Sequence, residues 1–231
     1  MLLVVARLLF ALAAGTAPAT PAKKDAAGLE KGCDSGKAAD CYDLALLVAS
    51  GDSVAKDPSR AGSLFQKACD GGVGAACANL GFMYASGEGV KKDSAAAAGF
   101  LRRACDANLA QACFSLALMY HAGDGVARDA AQAAAFFKRA CDGNVAQACY
   151  ELAAMTDANE GVAGDPQRAA QLYKQGCDGG NSLACFRLAI RYGAGRGVAK
   201  DRARAGALLK QACEGGIQDA CLALNSLMSH P

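Results

Sequence analysis

The positions of the twelve cysteines constrain this 231-residue chain more than any other feature of its sequence. They form two series that each advance by 36 residues without exception, and the second series follows the first by eight residues. A fixed period between about 20 and 50 residues is typical of a solenoid, in which each repeat buries its apolar face against its neighbours. The two series are Cys33, Cys69, Cys105, Cys141, Cys177 and Cys213, and Cys41, Cys77, Cys113, Cys149, Cys185 and Cys221.

The eight-residue offset also predicts how the cysteines pair. On one continuous helix such cysteines would lie about 12 Å apart along the axis, whereas a disulfide joins Cα atoms that are roughly 4.4–6.8 Å apart. The chain must therefore reverse between them, and segments such as 70–76 contain the glycine that commonly ends a helix. We predict six disulfides across helix–helix turns: Cys33–Cys41, Cys69–Cys77, Cys105–Cys113, Cys141–Cys149, Cys177–Cys185 and Cys213–Cys221.

Zinc binding is the alternative use of paired cysteines. Structural zinc sites favour cysteines two to four residues apart, often with histidine. The spacing here is longer, and the only histidines are His121 and His230. We therefore predict neither a metal site nor a cofactor.

Comparison of the repeats with one another predicts two helices in each. A leucine lies three residues after each second-series cysteine, and a second stripe residue, tyrosine in three repeats, follows four residues later, as expected for a buried helical stripe. A glycine loop leads to an aspartate that can cap a second helix, namely Asp57, Asp93, Asp129, Asp165 or Asp201. The pattern predicts an all-α, right-handed superhelical solenoid of antiparallel helix pairs, with 36-residue repeats and one disulfide per repeat.

The N-terminal sequence predicts export. Residues 1–19 contain one basic residue, a short apolar run and small residues near Ala17–Ala19, which is the pattern of a secretory signal peptide. An ordinary N-terminal helix is the alternative. The apolar run is too short to span a bilayer of about 30 Å. We interpret residues 20–27 as a flexible leader and 28–231 as the solenoid, and predict a periplasmic or secreted location, where disulfides persist.

One repeat carries a recognisable family pattern. Residues Ala76–Ala97 read Ala-x-x-x-Leu-Gly-x-x-Tyr-x-x-Gly-x-Gly-Val-x-x-Asp-x-x-x-Ala and resemble the Sel-one-like repeat, a relative of the tetratricopeptide repeat. The cysteine pair in every unit further resembles the Helicobacter cysteine-rich proteins of that family. The resemblance covers residues 28–229. It implies an adaptor scaffold in most members, and penicillin binding or β-lactamase activity in some cysteine-rich ones.

Two repeats depart from this pattern. The first has Ser53 where others have a loop glycine, and the fourth lacks the tyrosine and the first loop glycine over Thr156–Gly161. We interpret these departures as drift in a redundant array, with a specialised site as the alternative.

A β-lactamase would need a nucleophilic serine with a base. Serine β-lactamases place Ser-x-x-Lys at a helix start, with Ser-Asp-Asn and Lys-Thr-Gly elements elsewhere. This chain has one such serine and lysine, Ser53 and Lys56, and neither of the other elements. Lys56 merely occupies a loop position that other repeats also give to a basic residue. An enzyme that binds or hydrolyses β-lactams is therefore the alternative function, with a β-lactam or a cell-wall peptide as its ligand.

Binding of proteins or peptides is the predicted function, because solenoids present extended concave surfaces. The net charge of +2, without a basic cluster, gives no indication of nucleic-acid binding. Positions two and six after the second-series cysteine share a helix face and vary between repeats. Methionines there could adapt to apolar partners or simply fill the core. The predicted binding residues are Asn79, Met83, Ser115, Met119, Glu151, Met155, Arg187 and Arg191.

The last helix is predicted to carry a second apolar surface. Leu222, Leu224, Leu227 and Met228 follow its cysteine, and no further helix is predicted to cover them. Some should pack inward, and the remainder should form an apolar patch of the kind that marks partner sites.

Overall fold

A computed structural model of the chain describes residues 25–229. Between these residues the regular structure consists of twelve helices and no strand, which confirms the all-α prediction. The helices are α1 (Ala26–Asp34), α2 (Ala38–Ser50), α3 (Pro58–Asp70), α4 (Gly74–Ser86), α5 (Ser94–Asp106), α6 (Ala110–Ala122), α7 (Ala130–Asp142), α8 (Ala146–Ala158), α9 (Pro166–Asp178), α10 (Ser182–Ala194), α11 (Arg202–Glu214) and α12 (Gln218–Ser229).

The first helix begins earlier than the sequence predicts. Helix α1 starts at Ala26, inside the predicted leader of residues 20–27. The reason is a cap, because the Asp25 carboxylate accepts a hydrogen bond from the Gly28 N–H at 2.8 Å. The predicted signal peptide lies outside the described residues, as does His230, and stays a prediction.

The even-numbered helices α2–α12 are the first helices of the repeats, and the odd-numbered helices α3–α11 are the second helices. Each second helix begins directly after one of the predicted capping aspartates, and each of these carboxylates accepts from a backbone N–H of the first turn. Pro58 and Pro166 occupy the first position of α3 and α9, where a missing N–H does no harm. The caps therefore fix where every second helix starts.

The cysteines join α1 to α2, and join second helices to the first helices that follow them. Five bonds, Cys33–Cys41, Cys69–Cys77, Cys141–Cys149, Cys177–Cys185 and Cys213–Cys221, have Cα separations of 4.5–4.8 Å. Cys105 and Cys113 are also disulfide-bonded, and no cysteine of the described chain is free. The turn between partners uses one left-handed residue, glycine or asparagine, as at Gly72 with φ 89° and Asn144 with φ 65°. Five of the six predicted disulfides are thus confirmed as pairs, and the oxidised state of Cys105 and Cys113 agrees with the sixth.

The helices form two compact units that divide between Ala107 and Asn108. Both units bury leucines predicted three residues after a second-series cysteine. Leu80 of the first unit is 1% exposed, and Leu116 of the second is 0% exposed. Aromatic rings join the first helix of a repeat to the second, with ring centroids 5.9 Å apart for Tyr42–Phe65 and 5.8 Å apart for Phe114–Phe137. Such pairs stabilise helix packing beyond the area that they bury.

Successive second helices are tied together by side chains that reach a cysteine carbonyl of the preceding repeat. Arg103 donates to the carbonyl oxygen of Cys69 at 2.8 Å and pairs with Asp70 at 3.0 Å. Gln175 donates to the carbonyl oxygen of Cys141 at 3.1 Å. These bonds satisfy carbonyl groups at the helix C-termini, which have no partner within their own helix.

None of the helices between residues 25 and 229 is both long enough and apolar enough to cross a membrane.

Candidate binding surface

One side of the first helices remains accessible after the repeats have packed. It contains the positions two and five after the second-series cysteine, which lie three residues apart and therefore on the same side of a helix. We call this surface the first-helix face and describe it for each unit separately. It comprises Asp43, Leu46, Asn79 and Phe82 in the first unit, and Ser115, Leu118, Glu151, Ala154, Arg187 and Ile190 in the second.

The predicted position six belongs to the interior. Met119, Met155 and Arg191 are only 9%, 5% and 4% exposed, so the prediction that they face outward is wrong. Met83 is half-buried beside α3, where its Cε would lie 3.3 Å from a Cβ added at Gly62. Position six faces the second helix before it, as the approach of Met83 to α3 and the hydrogen bond from Arg191 to the Pro166 carbonyl oxygen at the start of α9 show. Met119 and Met155 are therefore core residues, which was the alternative that the sequence left open.

Position five takes the place of position six on the accessible side. Ile190 and Leu46 are 47% and 36% exposed, and Phe82 and Leu118 are half-buried. The sequence does not distinguish these residues from those at position six, because positions five and six are three and four residues from position two, and both spacings fit one helix face.

The polar side chains at position two differ in their bonding. Asn79 bonds to Tyr42, whose pKa burial raises above its usual value. The Ser115 hydroxyl donates to the Gln111 carbonyl oxygen at 3.1 Å, and the Glu151 carboxylate accepts from Gln147 at 2.7 Å. The face therefore changes in chemistry along each unit while the leucines beneath it stay constant.

A buried ionic cluster lies beneath this surface, between α8, α9 and α10. The Arg191 guanidinium donates to the Asp157 carboxylate and to the carbonyl oxygens of Pro166 and Arg196, at 3.0 and 3.1 Å for the carbonyls. It also lies over the Tyr173 ring, 5.3 Å from the centroid. The Tyr173 hydroxyl donates to Asp157 at 3.2 Å. Burial, reinforced by the Asp157 charge, raises the pKa of Tyr173.

The departures of the fourth repeat all have structural counterparts. Thr156 is buried and its hydroxyl donates to the Leu152 carbonyl oxygen at 2.7 Å. Asn159 takes the left-handed cap conformation with φ 56°, and its side chain accepts from Gly164 N–H at 2.9 Å. With Asp157 in the ionic cluster, each of these positions has a specific contact.

Ser53 and Lys56 lie in the exposed loop between α2 and α3, so neither residue starts a helix. Ser53 has φ 68°, the left-handed conformation that Gly89 has at the same loop position with φ 73°. Lys56 Nζ lies 3.9 Å from a Glu88 carboxylate oxygen.

Among residues 25–229, no three histidine, cysteine, aspartate or glutamate side chains are placed to hold a metal ion. Nothing in this part of the chain supports a β-lactamase.

The apolar residues of α12 divide as the sequence predicts. Leu224 and Leu227 pack against the core formed by α9, α10 and α11. Leu222 and Met228 are 64% and 66% exposed.

Known proteins share this repeat and this fold. The Sel1 repeat pattern matches residues 38–73, 74–109, 110–145, 146–181 and 182–217. No curated protein sequence matches the chain significantly.

Solved structures agree with the sequence match. The protective antigen c5321 of uropathogenic Escherichia coli, described with an SLR fold, is 29% identical with a TM-score of 0.81 over 87% of this chain. The chain spans only 43% of that protein. A Sel1 repeat protein from Oxalobacter formigenes is 27% identical with a TM-score of 0.77, over 83% of this chain and 79% of its own. The repeat match and these folds together show that the chain belongs to the Sel1 repeat family.

Proposed function

We propose that this protein is an exported, disulfide-stapled scaffold that binds proteins or peptides through its first-helix face. The observation that carries the proposal is the contrast between adjacent helix positions. In the first five repeats the leucine three residues after the cysteine is buried, whereas positions two and five are accessible and change from repeat to repeat. Packing alone does not require apolar side chains such as Leu46 and Ile190 to be exposed.

Export is supported by the oxidised cysteines. Every cysteine of the described chain is in a disulfide, and such bonds persist in oxidising compartments. The signal-like sequence of residues 1–19 agrees with a periplasmic or secreted location. We therefore expect protein purified from cells to contain no free thiol.

Selection from a random peptide library tests the binding function. Immobilised wild-type protein should enrich peptides, and a variant with Leu118→Glu and Ile190→Glu should lose most of them because charges would replace its apolar contacts. A matched control carries Ser63→Glu and Gln171→Glu, which add the same charges at exposed positions of second helices. Enrichment that survives the first variant but not the control would place binding on the second helices instead.

A further inference from the structure

Helix α10 exposes two large apolar side chains: Ile190 of the first-helix face, and Leu183, which lies beyond that face one turn before Arg187. Leu183 and Ile190 are 40% and 47% exposed, and Arg187 lies between them in the exposed class. The three residues are spaced by four and three positions, so they lie on one side of the helix. At 1.5 Å per residue they span about 10 Å along the axis. The surface is thus a cation flanked by two accessible aliphatic side chains.

The Arg187 guanidinium has no acidic partner within the described part of the chain. Among residues 25–229, no carboxylate pairs with it and no hydrogen bond engages it. By contrast, Arg204 pairs with Asp201 at 3.3 Å, and Lys210 pairs with Glu214 at 3.9 Å. An exposed cation without a partner is available to bind an anion from outside.

The surrounding sequence reinforces the positive charge. Residues 182–229 contain seven lysines and arginines and three aspartates and glutamates, a net charge of +4 that the pairing of Arg191 with Asp157 reduces to +3, although the whole chain carries only +2. The positive charge around α10 and its exposed side chains therefore both favour a ligand in which an anionic group is flanked by apolar groups.

We propose that α10 binds a peptide in which an acidic residue lies between two apolar residues, with the carboxylate on Arg187 and the apolar side chains on Leu183 and Ile190. The inference rests on the proposed binding function and names the ligand. An extended peptide places every second side chain on one side at about 6.7 Å intervals. In a sequence of the form apolar-x-acidic-x-apolar the two apolar residues lie about 13 Å apart, which is enough to reach both Leu183 and Ile190.

A charge reversal tests this assignment with the same random peptide library. Wild-type protein should enrich peptides with an acidic residue between apolar ones, and Arg187→Glu should enrich basic residues at that place instead. Arg196→Glu is the matched control, because Arg196 is also exposed, with its side chain outside any ion pair of residues 25–229. This control should retain the acidic consensus. For one enriched peptide, exchange of the acidic residue for its amide should weaken binding about fivefold, the upper range for an exposed ion pair.

The outcomes separate this inference from the function on which it rests. Enriched peptides without an acidic preference, or a consensus that Arg187→Glu leaves unchanged, would overturn the α10 assignment and leave the binding function standing. A library that yields no peptide at all would contradict both. Residues 25–60 carry seven acidic and four basic side chains, so a second copy is the competing occupant. Self-association of the wild type that Arg187→Glu abolishes, without peptide binding, would assign the surface to that copy.

Discussion

Replacing Asp157 by alanine should destabilise the protein more than removing the arginine with which it pairs. Arg191 is only 4% exposed, so without Asp157 its charge would remain buried and uncompensated. Breaking a fully buried ion pair from one side costs about 3–5 kcal/mol. Here Arg191 keeps two carbonyl acceptors and the Tyr173 ring, and the Asp157 side chain is 26% exposed. We therefore expect a loss of about 2–3 kcal/mol, below the fully buried range.

The reverse change should be milder. In Arg191→Met the remaining Asp157 carboxylate can reach water. Methionine also fits this position, since Met119 of α6 and Met155 of α8 occupy it in earlier repeats. We expect a loss of about 1 kcal/mol, typical of one hydrogen-bonded partner. The double variant with Asp157→Ala should lie within about 1 kcal/mol of the wild type, because apolar groups can replace a buried ion pair without loss. Ala85 occupies the position of Asp157 in an earlier repeat.

Guanidinium unfolding of the four proteins measures these differences. The chain contains no tryptophan, so helical circular dichroism is the appropriate signal, recorded without reductant to keep the disulfides closed. The midpoint should fall most for Asp157→Ala and recover in the double variant. A double variant as unstable as Asp157→Ala, or an Asp157→Ala protein as stable as the wild type, would refute the buried-charge argument.

Three further outcomes follow from the repeats. Gly89→Ala should lower the free energy of unfolding by more than about 1 kcal/mol, because φ is 73° and a Cβ there would overlap the Pro58 carbonyl group at the start of α3. Ser53→Gly should raise it by about 1 kcal/mol, because it relieves a left-handed serine. Thermal unfolding measures both changes. Mild reduction with mass-tagging of thiols should open Cys213–Cys221 first, because both of its cysteines are half-exposed; another first product would contradict this order. Stability should fall as pH rises above about 10, since unfolded tyrosine ionises there while the raised pKa keeps folded Tyr173 neutral. Tyr173→Phe should lessen that alkaline loss in denaturant titrations.

Features that recur in every repeat could be predicted from the sequence. The cysteine offset indicates the chain reversal, and Asp57 and its equivalents indicate where second helices begin. Both signals are local, because a cap and a turn depend on residues close in sequence. The uniform leucines such as Leu80 identify the buried stripe for the same reason.

Features that depend on the orientation of neighbouring helices could not be predicted. Spacing places positions five and six equally well beside position two, and only the packing of the second helices decides that Met155 is buried and Ile190 exposed. The ionic cluster joins Asp157, Tyr173 and Arg191 from three helices. Each of the three does replace an apolar residue of an earlier repeat, since Ala85, Phe137 and Met155 occupy the corresponding positions. Separate departures along a sequence do not reveal that the residues meet.

Site-specific photo-crosslinking tests the central claim, that partners bind to the first-helix face, most directly. A photoreactive residue would replace Leu46, Phe82, Leu118 or Ile190 in one set of variants, and the outward Ser63 or Gln171 of second helices in the control set. The variants would be expressed and illuminated in the source cells. The account predicts that the first set forms adducts with partner proteins or peptides and the control set does not. Adducts from the control positions alone, or equal yields from both sets, would contradict it.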